Sequence, residues 1–126
     1  MESTAAMLKA LSEATRLRVL ALLASAGGRE LCICDLTATL SLPQSTVSRH
    51  VSILRQAGWV LARRKGKWTY YRLDQGGQPL QEALREILRR ELPNLPEAQS
   101  DAAALERHLA SKPTAERCPD SAGGKA

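Results

Sequence analysis

Two cysteines separated by one residue, Cys32 and Cys34, are the side chains of this sequence with the clearest capacity for chemistry. They lie in the segment ELCICDL, where the apolar pattern predicts the start of a helix. Thiolates bind soft metals and metalloids such as arsenite, antimonite, cadmium, lead and zinc. A helix N-terminus favours the thiolate form that binds them. The pair therefore indicates a soft-ion site, and the alternative is two small buried hydrophobic residues.

The spacing of the pair predicts how a ligand would act on the chain. Side chains at positions i and i+2 of a regular helix point about 200° apart. Two sulfurs that share one atom must come much closer, so we expect ligand binding to unwind or bend the first turn of this helix.

The basic residues and the aromatic residues concentrate in one stretch of the chain. From Pro43 to Leu73 there are seven Lys or Arg and no Asp or Glu, and all four aromatic residues fall in the same stretch. The whole chain carries a formal net charge of +5. A segment of one charge sign is typical of contact with phosphate, so a nucleic-acid partner is favoured over a merely solvated basic face.

Length and composition limit the class of protein. The 126 residues, 44% hydrophobic and 25% charged, suit one globular domain and exclude a wholly disordered or fibrous chain. The longest uncharged apolar stretch, residues 19–28, is far shorter than the roughly 20 residues that a membrane span needs. We expect no membrane partner and, with no secretory leader recognised, a cytoplasmic location.

The periodicity predicts a mainly α chain with a small β-hairpin. Helices are expected over about 4–11, from a Ser12 cap to Gly27, over 31–40, 43–57 and 78–91, and more weakly over 98–110. Strands are expected over 59–64 and 68–73, joined by Lys65-Gly66-Lys67. Residues 1–92 would form a DNA-binding and dimerisation domain, 93–110 an additional C-terminal helix, and 111–126 a disordered tail.

Two short helices joined by a tight turn and followed by a basic hairpin describe a winged helix-turn-helix. Its second helix enters the major groove, and the hairpin follows the DNA backbone. His50 would either reach a phosphate or pack inside. The predicted DNA-contacting residues are Gln44, Ser45, Thr46, Ser48, Arg49 and His50 on the helix, and Arg63, Arg64, Lys65 and Lys67 on the hairpin.

The segment RELCICDLTATLSLPQSTVSRHVSILRQAGWVLARRKGKWTYYRL resembles the helix-turn-helix and wing of the ArsR/SmtB family of metal-sensing repressors. The stretch LSEATRLRVLALL resembles the second helix of that family. The resemblance implies a homodimer that binds an inverted-repeat operator and is held together by its first and last helices. The alternative is that the last helix packs only within its own chain. The predicted interface residues are Leu8, Leu80, Leu84, Ile87 and Leu88.

The segment ELCICDL is similar to the site of the arsenite-responsive branch of this family. It implies a repressor that releases DNA when As(III) or Sb(III) binds Cys32 and Cys34, without an organic cofactor. That branch often has a further cysteine at the position of Thr37. In this chain, Cys118, a small thiol such as glutathione, or a solvent oxygen could complete a pyramidal site.

Four alternatives remain for the function. The cadmium/lead branch carries the same pair but adds cysteines before it, which this sequence lacks; the zinc branch uses histidines on the last helix, and residues 78–91 contain none. A thiol-redox switch would close a small strained disulfide ring between Cys32 and Cys34. An enzyme with a catalytic thiol is disfavoured, because His50 belongs to the helix-turn-helix and His108 to the weak C-terminal segment, so that neither suggests a nucleophile and base pair.

Overall fold

The structure is a computed structural model that describes residues 1–112, and its elements follow the predicted order. The tail predicted over 111–126 therefore lies outside the described residues, apart from Ser111 and Lys112. The helices are α1 (Glu2–Lys9), α2 (Ala14–Ser25), α3 (Ile33–Leu40), α4 (Gln44–Gln56), α5 (Pro79–Glu91) and α6 (Pro96–Ser111), with a 3-10 turn at Leu92–Asn94. The strands are β1 (Leu31–Cys32), β2 (Val60–Lys65) and β3 (Trp68–Leu73).

The helix-turn-helix comprises α3 and α4. Ser41 ends α3 in the left-handed conformation, with φ of 58°, which turns the chain sharply into Leu42 and Pro43. Pro43 occupies the N-cap position of α4, where its missing N–H costs nothing. The predicted buried face of α4 is confirmed, since Val47, Val51 and Leu54 are all buried. Because this face fixes α4 against the core, the opposite face points outward.

The sheet has three antiparallel strands in the order β1-β3-β2, not the two predicted strands. The added strand β1 has only two residues, and it pairs Leu31 with Tyr71 and Cys32 with Tyr70. Helix α3 consequently begins at Ile33, two residues later than predicted. The predicted hairpin between β2 and β3 is present and turns at Gly66, whose φ of +66° suits glycine.

The N-terminus of α2 is capped by Glu13 rather than by the predicted Ser12. The Glu13 carboxylate accepts the backbone N–H groups of Thr15 at 2.7 Å and Arg16 at 3.2 Å. The Ser12 hydroxyl instead donates to the carbonyl of Lys9 at the end of α1. Ser12 therefore ends one helix, and its neighbour begins the next.

The core surrounds α2 and includes the C-terminal helix α6. Leu105 of α6 is fully buried, and two ion pairs hold the helix to the rest of the domain. Arg18 of α2 donates to both oxygens of Asp101 at 2.8 and 2.9 Å, and Arg29 pairs with Glu106. The helix that the sequence predicts only weakly is thus packed against α2 and α3. Within residues 1–112, no helix is long and apolar enough to cross a membrane.

Candidate soft-ion site and DNA-contacting surface

The two cysteine sulfurs lie side by side at the junction of β1 and α3. Cys32 is the N-cap of α3 and keeps an extended backbone, with φ of −87° and ψ of 171°, whereas Cys34 lies in the first helical turn. The two Sγ atoms are 3.5 Å apart, and both residues are buried. Since only Cys34 is helical, the expectation that the sulfurs point apart is wrong. The predicted unwinding of the first turn is therefore not needed to bring them together.

The spacing of the sulfurs fits a shared soft atom. With a metal–sulfur bond of about 2.3 Å, as for zinc, a 3.5 Å separation corresponds to an angle of about 100° at the bound atom. A donor set of sulfurs selects soft ions over hard ones. Among residues 1–112, no group of three His, Cys, Asp or Glu side chains is arranged to hold a metal ion. Thr37 occupies the position at which the similar arsenite-responsive branch often has a further cysteine, and its hydroxyl donates to the carbonyl of Ile33 at 2.8 Å.

The cysteine pair is packed against strand β3 of the β-hairpin. Trp68 and Tyr70 of β3 contact the pair, and the backbone of Cys32 is paired with that of Tyr70. The sequence places these aromatics only in the core or on the wing. Their contact with the cysteines depends on β1, which is too short to show a strand pattern.

A buried carboxylate connects Cys32 to the end of α6. Asp35 is 2% exposed, and its Oδ2 accepts the backbone N–H of Cys32 at 3.0 Å and lies 3.3 Å from the Cys32 Sγ. Its Oδ1 lies 2.8 Å from Nε2 of His108 and 2.8 Å from Nζ of Lys112. We call these four residues the Asp35 network. The sequence does not indicate this network, because Asp35 and His108 are 73 positions apart and no local pattern joins them.

The predicted DNA-contacting residues of α4 lie on its outer face, except His50. Gln44, Ser45 and Arg49 are exposed, and Thr46 and Ser48 are half-buried. His50 faces inward, and its Nδ1 is 3.1 Å from Nη1 of Arg16 on α2 and 3.8 Å from Glu13. Of the two alternatives for His50, the structure has the inward one. Its assignment as a DNA contact is therefore corrected.

The basic residues of the hairpin divide into two groups. Arg64, Lys65 and Lys67 are exposed around the turn. The Nε–H of Arg63 donates to the carboxylate of Glu30, 2.9 Å from each oxygen. This hydrogen bond holds the pKa of Glu30 below its usual range. The Arg63 guanidinium also lies over the Tyr70 ring, 6.0 Å from the centroid. Arg63 thus has a structural partner, Glu30, which the sequence did not indicate.

This division predicts unequal effects on DNA binding. Arg64→Ala should lower the affinity for duplex DNA and reduce the slope of log affinity against log salt by about one for each phosphate that the arginine neutralises. Arg63→Ala should change that slope less, because Glu30 already compensates its charge. Fluorescence anisotropy with a duplex of arbitrary sequence at several salt concentrations measures both. A larger slope change for Arg63→Ala would contradict the assignment.

Helix α5 has an inner face and an outer face. On the inner face, Gln81 donates to the carbonyl of Ala57 at 2.9 Å, and Arg85 donates to that of Gly58 at 2.9 Å. The apolar residues of α5 predicted to form the dimer interface are divided between its inner and its outer face. Leu84 and Leu88 pack against the core of their own chain, whereas Leu80 and Ile87, together with Leu8 of α1, are exposed. We call these last three residues the exposed apolar patch.

Comparison with known proteins places this architecture in a family. Residues 13–60 match the family described as bacterial regulatory proteins, arsR family. The chain is 43% identical over 70 residues to an uncharacterized HTH-type transcriptional regulator of Methanocaldococcus jannaschii, covering 56% of this chain and 76% of that protein. The chain belongs to the ArsR family.

Further similarities extend this ArsR-family assignment. An arsenic resistance transcriptional regulator of Pseudomonas putida is 51% identical over 65 residues, which cover 52% of this chain and 49% of that protein. The chain thus spans about half the length of the first curated relatives that it matches. A homodimeric winged helix-turn-helix DNA-binding domain from Mycobacterium bovis superimposes with a TM-score of 0.56 at 25% identity, covering 91% of this chain and 89% of that one. The predicted winged helix-turn-helix fold is confirmed, and the ArsR family is one of regulators rather than enzymes.

Proposed function

We propose that this ArsR-family chain is a transcriptional repressor that releases operator DNA when As(III) or Sb(III) binds Cys32 and Cys34. The observation that carries the proposal is the 3.5 Å separation of the two sulfurs, which lie against strand β3 of the proposed DNA-contacting hairpin. Relatives named for arsenic resistance support the choice of ligand. Bound at this site, a trivalent metalloid supplies one soft centre that several sulfurs share.

The third sulfur of the proposed site is Cys118, which lies outside the described residues. The last described residue, Lys112, has its Nζ 2.8 Å from Asp35, and Asp35 lies 3.3 Å from the Cys32 Sγ. The six residues from Lys112 to Cys118 span at most about 21 Å, so the Cys118 sulfur is within reach of the pair. A short connection also keeps the entropy cost of closure small. An exogenous thiol or a solvent oxygen is the alternative third ligand.

The pair contacts one of the two elements proposed to hold DNA, the hairpin, and is connected to the other, α4, through α3. Trp68 and Tyr70 pack against the cysteines, and the hairpin that carries them ends in Arg64, Lys65 and Lys67. On the other side, α3 packs against α4. A ligand can shift the DNA-binding equilibrium only by binding the two states differently. We therefore propose that repacking of the two aromatics, rather than unwinding of α3, moves the hairpin away from its DNA-competent position.

The proposed repressor acts as a homodimer through the exposed apolar patch. Leu8, Leu80 and Ile87 are 42%, 47% and 46% exposed, and burial against a second copy would remove them from water. The similarity to a homodimeric domain supports this assembly. Two-fold symmetry then implies an inverted-repeat operator with half-sites about 34 Å apart. A regulator of this kind would work in the cytoplasm, beside the DNA.

Titration of the protein–DNA complex with a set of soft ligands tests the proposal. The DNA is a labelled duplex that the protein selects from a random-sequence library. Arsenite and antimonite should weaken binding by about 100-fold at near-stoichiometric amounts. Release by cadmium or lead alone would assign the site to those ions instead. Release by peroxide that a thiol reductant reverses, with no response to arsenite, would replace metalloid sensing by redox sensing.

A further inference from the structure

The Asp35 network joins the last described helix to the cysteine pair. Asp35 is buried, and its two carboxylate oxygens have different partners. Oδ2 accepts the N–H of Cys32 and approaches its sulfur, whereas Oδ1 receives His108 and Lys112 from the end of α6. A single carboxylate thus connects a proposed ligand residue with a helix that is remote in sequence.

Anchoring of α6 does not by itself account for this arrangement. The helix is already held by Leu105 in the core, by the Arg18–Asp101 pair and by the Arg29–Glu106 pair. None of those contacts includes either cysteine. The Asp35 network differs because the residue that receives α6 is also the residue that holds Cys32.

We propose that α6 sets the ligand affinity of the cysteine pair, with Asp35, His108 and Lys112 as positioning residues. This inference rests on the proposed function of the pair. His108 and Lys112 fix the Asp35 carboxylate, and Asp35 fixes the backbone N–H of Cys32 and so the direction of its sulfur. Partners behind the direct ligands orient them, and their loss lowers metal affinity by about 10–100-fold.

Compensation of the negative charge on Asp35 also raises the ligand affinity of the cysteine pair. Without the two α6 side chains, Asp35 would be a buried carboxylate 3.3 Å from a sulfur that binds as an anion. A negative charge at that distance, away from water, opposes a second one. With the Lys112 ammonium 2.8 Å from Oδ1 and His108 hydrogen-bonded to the same oxygen, the carboxylate can accept the Cys32 N–H without opposing ligand binding.

The test compares two ways of loosening α6. His108→Ala with Lys112→Ala removes the α6 side of the network, whereas Glu106→Ala removes the neighbouring contact with Arg29 and leaves Asp35 untouched. Arsenite binding to the full chain is followed by near-ultraviolet sulfur-to-arsenic absorption, and DNA affinity is measured without arsenite. The double variant should bind arsenite about tenfold more weakly with unchanged DNA affinity, and Glu106→Ala should bind like the wild type. Rescue by His108→Gln with Lys112→Arg, which keep the donors, should restore most of the affinity.

The outcomes separate the inference from the proposed function. If the wild type binds arsenite and the double variant binds it equally well, the inference is overturned and the proposed function stands. The inference is also overturned if Glu106→Ala loses as much affinity, since general loosening of α6 would then explain the effect. Should the double variant be unstable, Lys112→Ala alone at the helix end gives a smaller loss in the same direction. A wild type that binds DNA but no arsenite overturns both.

Discussion

The double substitution Cys32→Ser with Cys34→Ser is expected to abolish arsenite-induced release while leaving ligand-free DNA affinity within about twofold. An alcohol oxygen is a hard donor and does not replace a sulfur for a soft ion. The fold should persist, because Cys32 occupies an N-cap position, where serine is a preferred residue. The full response of about 100-fold should therefore disappear, as measured by anisotropy of the labelled duplex with increasing arsenite.

Two further substitutions serve as graded controls for the cysteine experiment. Cys118→Ser should weaken the arsenite response without abolishing it, since two sulfurs remain. Adding Thr37→Cys to Cys118→Ser should restore the response, because positions 34 and 37 lie on the same side of α3. Complete release of DNA from the double serine variant at low arsenite would remove the sensor assignment from this pair.

The second large effect is expected at the exposed apolar patch. Leu80→Glu with Ile87→Glu should convert the proposed dimer to monomers, because unpartnered carboxylates are costly to bury at an interface. Affinity for the selected inverted repeat should fall by about 100-fold or more, since two linked half-sites no longer bind together. Sedimentation equilibrium reports the assembly, and anisotropy reports the DNA affinity.

The control for this experiment makes the same chemical change elsewhere. Leu61 of β2 is 37% exposed and belongs to the hairpin rather than to α1 or α5. Leu61→Glu should remain dimeric in the sedimentation experiment. A double α5 variant that stays dimeric, or a dimer that Leu61→Glu disrupts equally, would show that the exposed apolar patch is not the interface.

The larger elements of the fold are predictable because each carries its own signal. The stripe of Val47, Val51 and Leu54 repeats at helical spacing and is buried as expected. The hairpin is indicated by β-branched and aromatic residues on either side of Gly66. Strand β1 escapes prediction because two residues cannot show a period of two. Helix α6 is predicted weakly because Asp101 interrupts its apolar face, and only the structure shows that Arg18 pairs with it.

The candidate site is predictable in its residue types but not in its geometry. The pair Cys32 and Cys34 is visible from spacing alone, whereas its 3.5 Å separation follows from the extended backbone of the N-cap residue. His50 and Arg63 look like DNA contacts because they are basic residues in a basic segment. Their partners, Arg16 and Glu30, come from elsewhere in the chain. The link from Asp35 to His108 is likewise tertiary.

Arsenic-edge X-ray absorption of the wild-type protein, at the arsenite concentration that just releases the DNA, tests most directly whether Cys32 and Cys34 share one ion. We predict at least two sulfur neighbours per arsenic, a third that is absent in Cys118→Ser, and no bound arsenic in the double serine variant. An arsenic surrounded only by oxygen while the DNA is released would contradict this prediction.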